Sequence, residues 1–357
     1  MGVGGRAHLV EREEQLDALE RLFARAVAGS GATVLLAGEA GIGKTALVEA
    51  FCKRHVTDCR VLVGRCDPLS TPRPLGPLLD IAPRLGSRLE VLLGTGDRPA
   101  LVFDEALKQL RSEATVVVFE DLHWADEATL DIVRFLGRRL ADGQTMFVCT
   151  YRDDELGPSH PLRVALGDLS GSPGVHRIAL PPLTAAAVRE LADGTEFDPV
   201  SLHTLTAGNP FFVAEVLAAA EDGIPATVRD AVFARLARLS DLGRRAMEVA
   251  AVFGDRVDLG RLLHGLGVED DAIAECVASG MLIPSYIGVD FRHQLVRKAV
   301  LDSIAPSTRA ELHSKVLVSA RRRGIMPDEL AELAEHAEFA RGFRRGTRVR
   351  SGSRTVG

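Results

Sequence analysis

GEAGIGKT, Gly38 to Thr45, is the stretch on which the fold turns. It fits the pattern G-x-x-x-x-G-K-[ST], with Gly38, Gly43, Lys44 and Thr45 at the specified places and Glu39, Ala40, Gly41 and Ile42 between them. The residue types answer to phosphate chemistry. Glycines let a backbone wrap tightly, so that successive N–H groups converge on anionic oxygens. A following helix turns its positive end toward the same anion. Lys44 has the length to reach β- and γ-phosphates, and the Thr45 hydroxyl suits Mg2+. Lysine is scarce here: Lys44 is one of five, so its place is not a by-product of a lysine-rich composition. The flanks are also as required. ATVLLAG before the loop reads as a buried strand. The residues after it read as a helix, with Ala46, Leu47, Ala50 and Phe51 on one side.

Working outward, the next informative stretch is VVVFEDLHWAD, Val116 to Asp126. A buried strand that ends in paired acids needs a reason. A phosphate loop supplies one: an acid at the tip of a nearby parallel strand holds magnesium through water, and a second orients the attacking water. Glu120 is assigned to the metal side and Asp121 to the water side. The competing reading has both acids as solvated charges capping the next helix. Trp124, the single tryptophan, is expected to pack near the strand tip and position the loop. TMFVCTYR is a further strand. Thr150 and Arg152 at its end sit where a polar group and a cation could sense a γ-phosphate, or where Arg152 is an ordinary surface charge.

RVLVGRC and HRIAL complete five apolar runs that alternate with helical patterns, which indicates a parallel sheet covered on both faces. The N-terminal EREEQLDALERLFARAVAG adds a helix with Leu16, Leu19, Leu22 and Phe23 at helical spacing. The alternation stops near Leu180. Beyond it nearly everything is helix-patterned except MLIPSYIGVDFRH, which reads as a β-hairpin. Helices followed by a hairpin and another helix suggest a winged-helix element. LPPL and GIPATV, punctuated by Pro and Gly, are candidate hinges.

Composition sets bounds. The 357 residues suffice for two or three domains, and 46% hydrophobic with 26% charged residues is ordinary for a globular protein. A net charge of -6 does not advertise nucleic acid. Five cysteines without a CxxC argue against a disulfide framework or zinc knuckle and for a reducing cytoplasm. No apolar run reaches the ~18 residues of a membrane span, and the N-terminus lacks the apolar core of a signal peptide. The last stretch is different: after Phe339 there are six arginines and no acid. It reads either as a basic arm for nucleic acid or, with its Gly and Ser content, as a flexible coil. The coil is the favoured reading, which leaves direct DNA binding by this chain doubtful.

Taken in order, LVEREEQLDAL, GEAGIGKT, VVVFEDLHWADEATL, CTYRDDE, LPPLT, AGNPFF, IPATVRDAVFARLARLS and DFRHQLVRKAV resemble the STAND class of signal-transduction ATPases. Within it, the likeness is to the ATPase region of the large ATP-binding LuxR-type, MalT-related bacterial transcriptional regulators. It covers roughly Leu9 to Glu338. The resemblance implies an α/β P-loop NTPase of the ASCE type, a parallel five-stranded sheet with helices on both faces, followed by a helical lid and a winged-helix-like domain. The expected boundaries are 1–180, 181–222 and 223–305, then the start of a helical repeat at 306–340 and a basic tail at 341–357.

The resemblance also implies roles. Arg12 lies in the segment that lines the adenine side, and Arg152 stands as the γ-phosphate sensor. Pro210 matches the proline that packs near the base. His293 matches a histidine that contacts the β-phosphate of ADP and holds a closed state; the alternative is a histidine that caps the next helix. Three positions depart from the pattern. Glu11 replaces a usual Gly, which is expected to alter that turn. Glu120 replaces a commoner Asp. Gln294 replaces the Asp that helps fix the histidine.

The expected function is an ATP/ADP-binding switch, a slow Mg2+-dependent ATPase that controls signalling or transcription. It would self-associate in the ATP state and respond to an inducer or partner protein. Full-length members of the group carry a repeat sensor and a helix-turn-helix after this region, so a shortened relative is expected. Two other readings stay open: a non-hydrolysing module that holds ADP, and a DNA-binding factor that uses the winged helix and the arginine tail.

Overall fold

β1 (Ala32–Ala37) is buried along its whole length, and its side chains divide between two cores. Such a strand belongs in the middle of a sheet covered on both sides. The computed structural model describes residues 9–69, 71–95, 98–219, 223–254, 256–258, 266–286, 288–323 and 333–340. The arginine tail at 341–357 lies outside the described residues.

The chain divides into two compact units, one comprising Met1–Ala187 with Asn209–Phe211, the other Val188–Gly208 with Phe212–Gly357. The first unit carries the sheet. β1, β2 (Arg60–Arg65), β3 (Thr115–Glu120), β4 (Thr145–Tyr151) and β5 (Val175–Ala179) lie in the order β2-β3-β4-β1-β5. Every neighbouring pair is parallel. Its helices are α1 (Glu13–Val27), α2 (Lys44–His55), α3 (Gly76–Leu85), α4 (Ser87–Gly94), α5 (Pro99–Leu110), α6 (Glu127–Gly137) and α7 (Pro161–Leu169). The alternating pattern predicts this parallel sheet, and the arrangement matches the P-loop NTPase fold that the resemblance implies.

The strand alternation sorts the core. Val34, Leu36, Val116, Val118, Met146 and Val148 face one side, where Leu19 and Phe23 of α1 and Leu47, Val48 and Phe51 of α2 cover them. Leu35, Val117, Phe119, Phe147 and Cys149 face the other side, under Ile81 of α3, Val102 of α5, Val133 of α6 and Leu166 of α7. Each fully buried Leu, Val or Phe contributes about 1.5–3 kcal/mol relative to exposure.

Register then positions the site. β1 ends with Ala37 beside Tyr151 of β4, and Phe119 of β3 lies beside Cys149 of the same strand. All strands run the same way, so the loop after β1, the acids after β3 and the residues after β4 emerge on one edge. In open parallel sheets that edge is where ligands bind.

The second unit begins within α8 (Ala185–Leu191). It contains α9 (Pro199–Thr206), most of α10 (Pro210–Ala218), α11 (Ala226–Leu236), α12 (Asp241–Phe253), α13 (Asp270–Ala278), α14 (Gln294–Ser303) and α15 (Pro306–Arg323). Residues 333–340 are also helical. α12 is its centre and buries Ala246, Met247, Val249, Ala250, Ala251, Val252 and Phe253, with α13, α14 and α15 packed around it. The expected hairpin is present as β7 (Leu282–Pro284) paired antiparallel with β8 (Gly288–Phe291). One strand escapes a sequence reading. β6 (Arg256–Asp258) adds to the other edge of β8, Val257 opposite Val289. Three residues are too few to display a period of two.

Candidate functional site

The phosphate-type loop runs from Gly38 to Gly43, and Lys44 opens α2. Gly43 holds φ at 100° and Gly41 at 79°, a region that side-chain-bearing residues seldom enter. Lys44 is buried, and its Nζ donates to the carbonyls of Gly38 at 2.7 Å and Glu39 at 2.9 Å. Burial lowers the Lys44 pKa, and the Arg152 charge lowers it further; Asp154, Asp121 and Asp153 oppose both. The lysine therefore shares one electrostatic neighbourhood with the acid after β3 and the cation after β4. Thr45 is exposed at the helix start.

A second segment clips this loop in place. Asn209 is fully buried. Its Nδ2 donates to Glu39 Oε1 at 2.6 Å and to the Ala40 carbonyl at 2.9 Å. Its Oδ1 accepts from the Phe211 N–H at 3.1 Å, and the Phe211 N–H also reaches the Gly41 carbonyl at 3.2 Å. A Cβ on Gly41 would stand 2.8 Å from Phe211 Cβ and 2.9 Å from Asn209 Oδ1, so glycine is required there for space as well as for φ. Pro210 begins α10 between these two residues. Asn209 had no place in the sequence reading. The signal available was a polar residue between Gly208 and Pro210 in a segment otherwise apolar.

The N-terminal segment makes the third contact with the loop. Arg12 is buried, and its Nη2 donates to the carbonyls of Ile42 at 3.2 Å and Pro181 at 2.9 Å, while Nη1 donates to the Glu11 carbonyl at 2.8 Å. Burial lowers its pKa against the raising charges of Glu11 and Glu13. Arg12 thus ties the loop-to-helix corner at Ile42 to the segment after β5. Glu11 takes a left-handed conformation at φ 52°, the kind of turn that glycine serves. The turn persists with glutamate because the side chain is anchored. Its carboxylate accepts from Thr184 N at 2.8 Å and Thr184 Oγ1 at 2.5 Å, and these bonds hold its pKa below the usual value.

The paired acids have separate partners. Glu120 is buried and is paired with Arg65 Nε at 2.6 Å. Asp121 turns out of the strand in a left-handed conformation, φ 60°, one of the few non-glycine residues that tolerate it. Its N–H donates to Thr150 Oγ1 at 3.0 Å, which joins the tips of β3 and β4. Burial raises the Asp121 pKa, opposed by Arg152 and Lys44. Neither acid caps α6. Asp126 does that, accepting from Ala128 N at 2.9 Å.

The His-Trp pair packs beside the cation that follows β4. Trp124 lies under Arg152, with the guanidinium carbon 4.7 Å from the ring centre, and His123 packs beside Trp124 at 4.5 Å between ring centres. Arg152 also donates to Glu155 at 2.6 Å. The tryptophan therefore positions the cation of the neighbouring strand.

Residues 8–148 match the model of the AAA ATPase domain family. The chain carries a P-loop ATPase module. An uncharacterized protein of Rhizobium meliloti (strain 1021) is 25% identical over 410 residues, covering 93% of this chain and 39% of its own length. The chain thus spans about two-fifths of that relative. Among solved structures, a Walker-type ATPase of Pyrococcus abyssi is 14% identical with a TM-score of 0.56, covering 82% of this chain and 96% of its own. That likeness shows a shared fold. A signal transduction ATPase with numerous domains and a tetratricopeptide repeat sensor, from Pyrococcus horikoshii, is 16% identical with a TM-score of 0.41, covering 93% of this chain and 48% of its own.

The P-loop ATPase module supports nucleotide binding, and with it a need for Mg2+. The residues present fit that ion. No group of three metal-binding side chains occurs among the described residues. Mg2+ is normally held by one or two protein oxygens plus phosphates and water. The Thr45 hydroxyl and the half-buried Asp121 carboxylate would supply oxygens of the right hardness. Glu120 would have to leave Arg65 to do so directly.

His293 belongs to the second unit. It is buried, its Nδ1–H donates to the Thr206 carbonyl at 3.0 Å, and its ring stands edge-on to Phe212 at 4.9 Å. It occupies the position before α14 but makes no capping bond with its side chain. No described helix is long and apolar enough to cross a membrane.

Proposed function

We propose that this chain is a nucleotide-regulated switch of the STAND type. ATP and ADP bind at Gly38–Thr45, and slow Mg2+-dependent hydrolysis resets the switch. One observation carries the reading: the glycine loop that ends at Lys44 follows β1, while Asp121 and Arg152 follow β3 and β4 on the same edge of the parallel sheet, where the Asp121 N–H to Thr150 Oγ1 bond at 3.0 Å joins the two strand tips. A loop alone binds an anion; a loop with a facing acid and a third-strand cation distinguishes a triphosphate and its attacking water. Arg12 and Asn209 shape the loop, and Pro210 lies beside the base. His293 is the residue of the second unit that answers to the nucleotide state. The fold of that unit, helices with a three-stranded antiparallel sheet, suits a winged-helix-like regulatory domain. The output is control of transcription or signalling, as in LuxR-type regulators, with an inducer and self-association favouring the ATP state.

The Arg65–Glu120 pair favours a second reading. A metal-side carboxylate already neutralised by an arginine suits a module that holds ADP and turns over little or no ATP.

Purified protein separates the two. Mg2+-dependent ATP turnover that disappears in Lys44→Ala and in Asp121→Asn supports the switch. Tight ADP retention without turnover supports the holding module. Failure of both ATP and ADP to bind at millimolar concentration would sink both readings.

A further inference from the structure

Arg152 is held on two sides. Its Nη1 donates to Glu155 Oε1 at 2.6 Å, and its guanidinium lies over Trp124. The second oxygen of Glu155 stands 3.8 Å from Nε2 of His123. On the opposite edge of the same ring, His123 Nδ1 stands 3.9 Å from Asp121 Oδ1. The His123 side chain is 1% exposed, and those of Asp121 and Glu155 are 31% and 15% exposed. Four residues therefore form a continuous path from the cation at the tip of β4 to the acid at the tip of β3. Both histidine contacts are about 1 Å longer than a hydrogen bond, so a small shift closes either one.

We propose that Glu155 and His123 are positioning residues that couple Arg152 to Asp121. The inference rests on the nucleotide reading above. A γ-phosphate and the Glu155 carboxylate compete for one guanidinium, since Arg binds both groups through the same planar fork. When Arg152 turns to the phosphate, Glu155 loses its cation and closes on His123. The ring, packed against Trp124, carries that shift to Asp121. With ADP, Arg152 stays on Glu155 and Asp121 stays where it is. The path has two arrangements, and the nucleotide selects between them by binding them unequally. His123 and Glu155 touch no nucleotide in this scheme; they act through Arg152 and Asp121.

The test is a double-mutant cycle on the full chain, read by ATP and ADP affinity with Mg2+ and by steady-state turnover. Glu155→Gln keeps the shape but removes the competing charge. It is expected to favour ATP over ADP about fivefold more than the parent does, and to lower kcat about tenfold, so that kcat and KM fall together. His123→Asn leaves the Arg152–Glu155 pair intact. It is expected to lower kcat about tenfold and to shift the affinity ratio toward ADP, since the arrangement that ATP selects loses its partner for Glu155. The double variant is expected to turn over no more slowly than the slower single one. A purely structural role would weaken both nucleotides equally. An unchanged affinity ratio in Glu155→Gln, or losses that multiply in the double variant, overturns the coupling. Should His123→Asn fail to fold, Glu155→Gln decides alone: it must show both the raised affinity ratio and the lowered kcat, and a raised ratio with an unchanged kcat overturns the path to Asp121. If the parent protein binds no nucleotide, the nucleotide reading itself falls; if it binds both and the ratio does not move, only the coupling falls.

Discussion

Arg65 and Glu120 are register partners on adjacent parallel strands, and their side chains meet at 2.6 Å. The glutamate side chain is 5% exposed and the arginine 63%. A buried carboxylate is thus neutralised from the rim of the sheet. The hydrogen bond to Glu120 and its charge raise the Arg65 pKa, as such a pair should.

Removing the arginine follows directly. Arg65→Ala leaves Glu120 without that partner in a site where water has little access. Breaking a fully buried pair costs about 3–5 kcal/mol, but the exposure of Arg65 discounts this toward the surface range, to about 1–2 kcal/mol. Urea denaturation should show that loss. The freed carboxylate should also lower the Mg2+ concentration needed for half-maximal ATP binding. An unchanged Mg2+ requirement would remove Glu120 from the metal side and leave Asp121 to serve it.

Asn209 offers a sharper test of loop architecture. Its amide nitrogen serves both Glu39 and the Ala40 carbonyl from a fully buried position. Asn209→Ala withdraws those donors and should cost about 1–3 kcal/mol, the desolvation penalty of buried polar groups. Asn209→Asp should be worse, since it sets a second carboxylate against Glu39. Nucleotide affinity should fall in the same order. Equal stabilities for the two variants would contradict the assigned amide orientation.

Much of this was legible beforehand, and the gaps have physical causes. The five strands announce themselves because each is long enough for its apolar run to show, and Gly38–Thr45 because glycine and lysine at fixed spacing have few other uses. Arg65 could not be matched to Glu120 from sequence, since 55 residues separate them and parallel register depends on how the intervening helices pack. Asn209 was hidden for the same reason: the residues it serves lie 169 and 170 positions earlier. Nothing in the sequence singles out His123 for a role of its own. Its meeting with Glu155 arises only when β3 and β4 lie side by side.

Glu11 makes a prediction about acid. Its hydrogen bonds with Thr184 are to the carboxylate form, and they lower its pKa from the ordinary value near 4.5. A carboxyl with a lowered folded pKa binds fewer protons when folded than when unfolded. Its contribution is therefore complete above about 4.5 and is lost as pH falls through the lower folded value. The parent should be more stable than Glu11→Gln at pH 7, and the difference in urea midpoint should shrink by pH 3. A difference independent of pH would mean that the turn, not the charge, carries the contact.

Trp124 turns the site into its own reporter. It is the single tryptophan in the chain, and Arg152 lies 4.7 Å from its ring centre. A guanidinium over an indole face is held by the ring quadrupole, worth about 0.5–1 kcal/mol where partly exposed. That is small enough for a γ-phosphate to overcome, because a charge-assisted bidentate pair is stronger. Departure of the cation changes the electrostatic field at the indole, so intrinsic fluorescence should change on adding ATP with Mg2+. ADP lacks the oxygen that draws Arg152 away, and its signal should be smaller at saturation. Arg152→Met keeps apolar cover over the ring while removing the charge; in that variant ATP and ADP should give the same small response. A full ATP-specific signal in Arg152→Met would show that the tryptophan senses something other than this arginine. Equal signals from both nucleotides in the parent would show that Arg152 does not distinguish them.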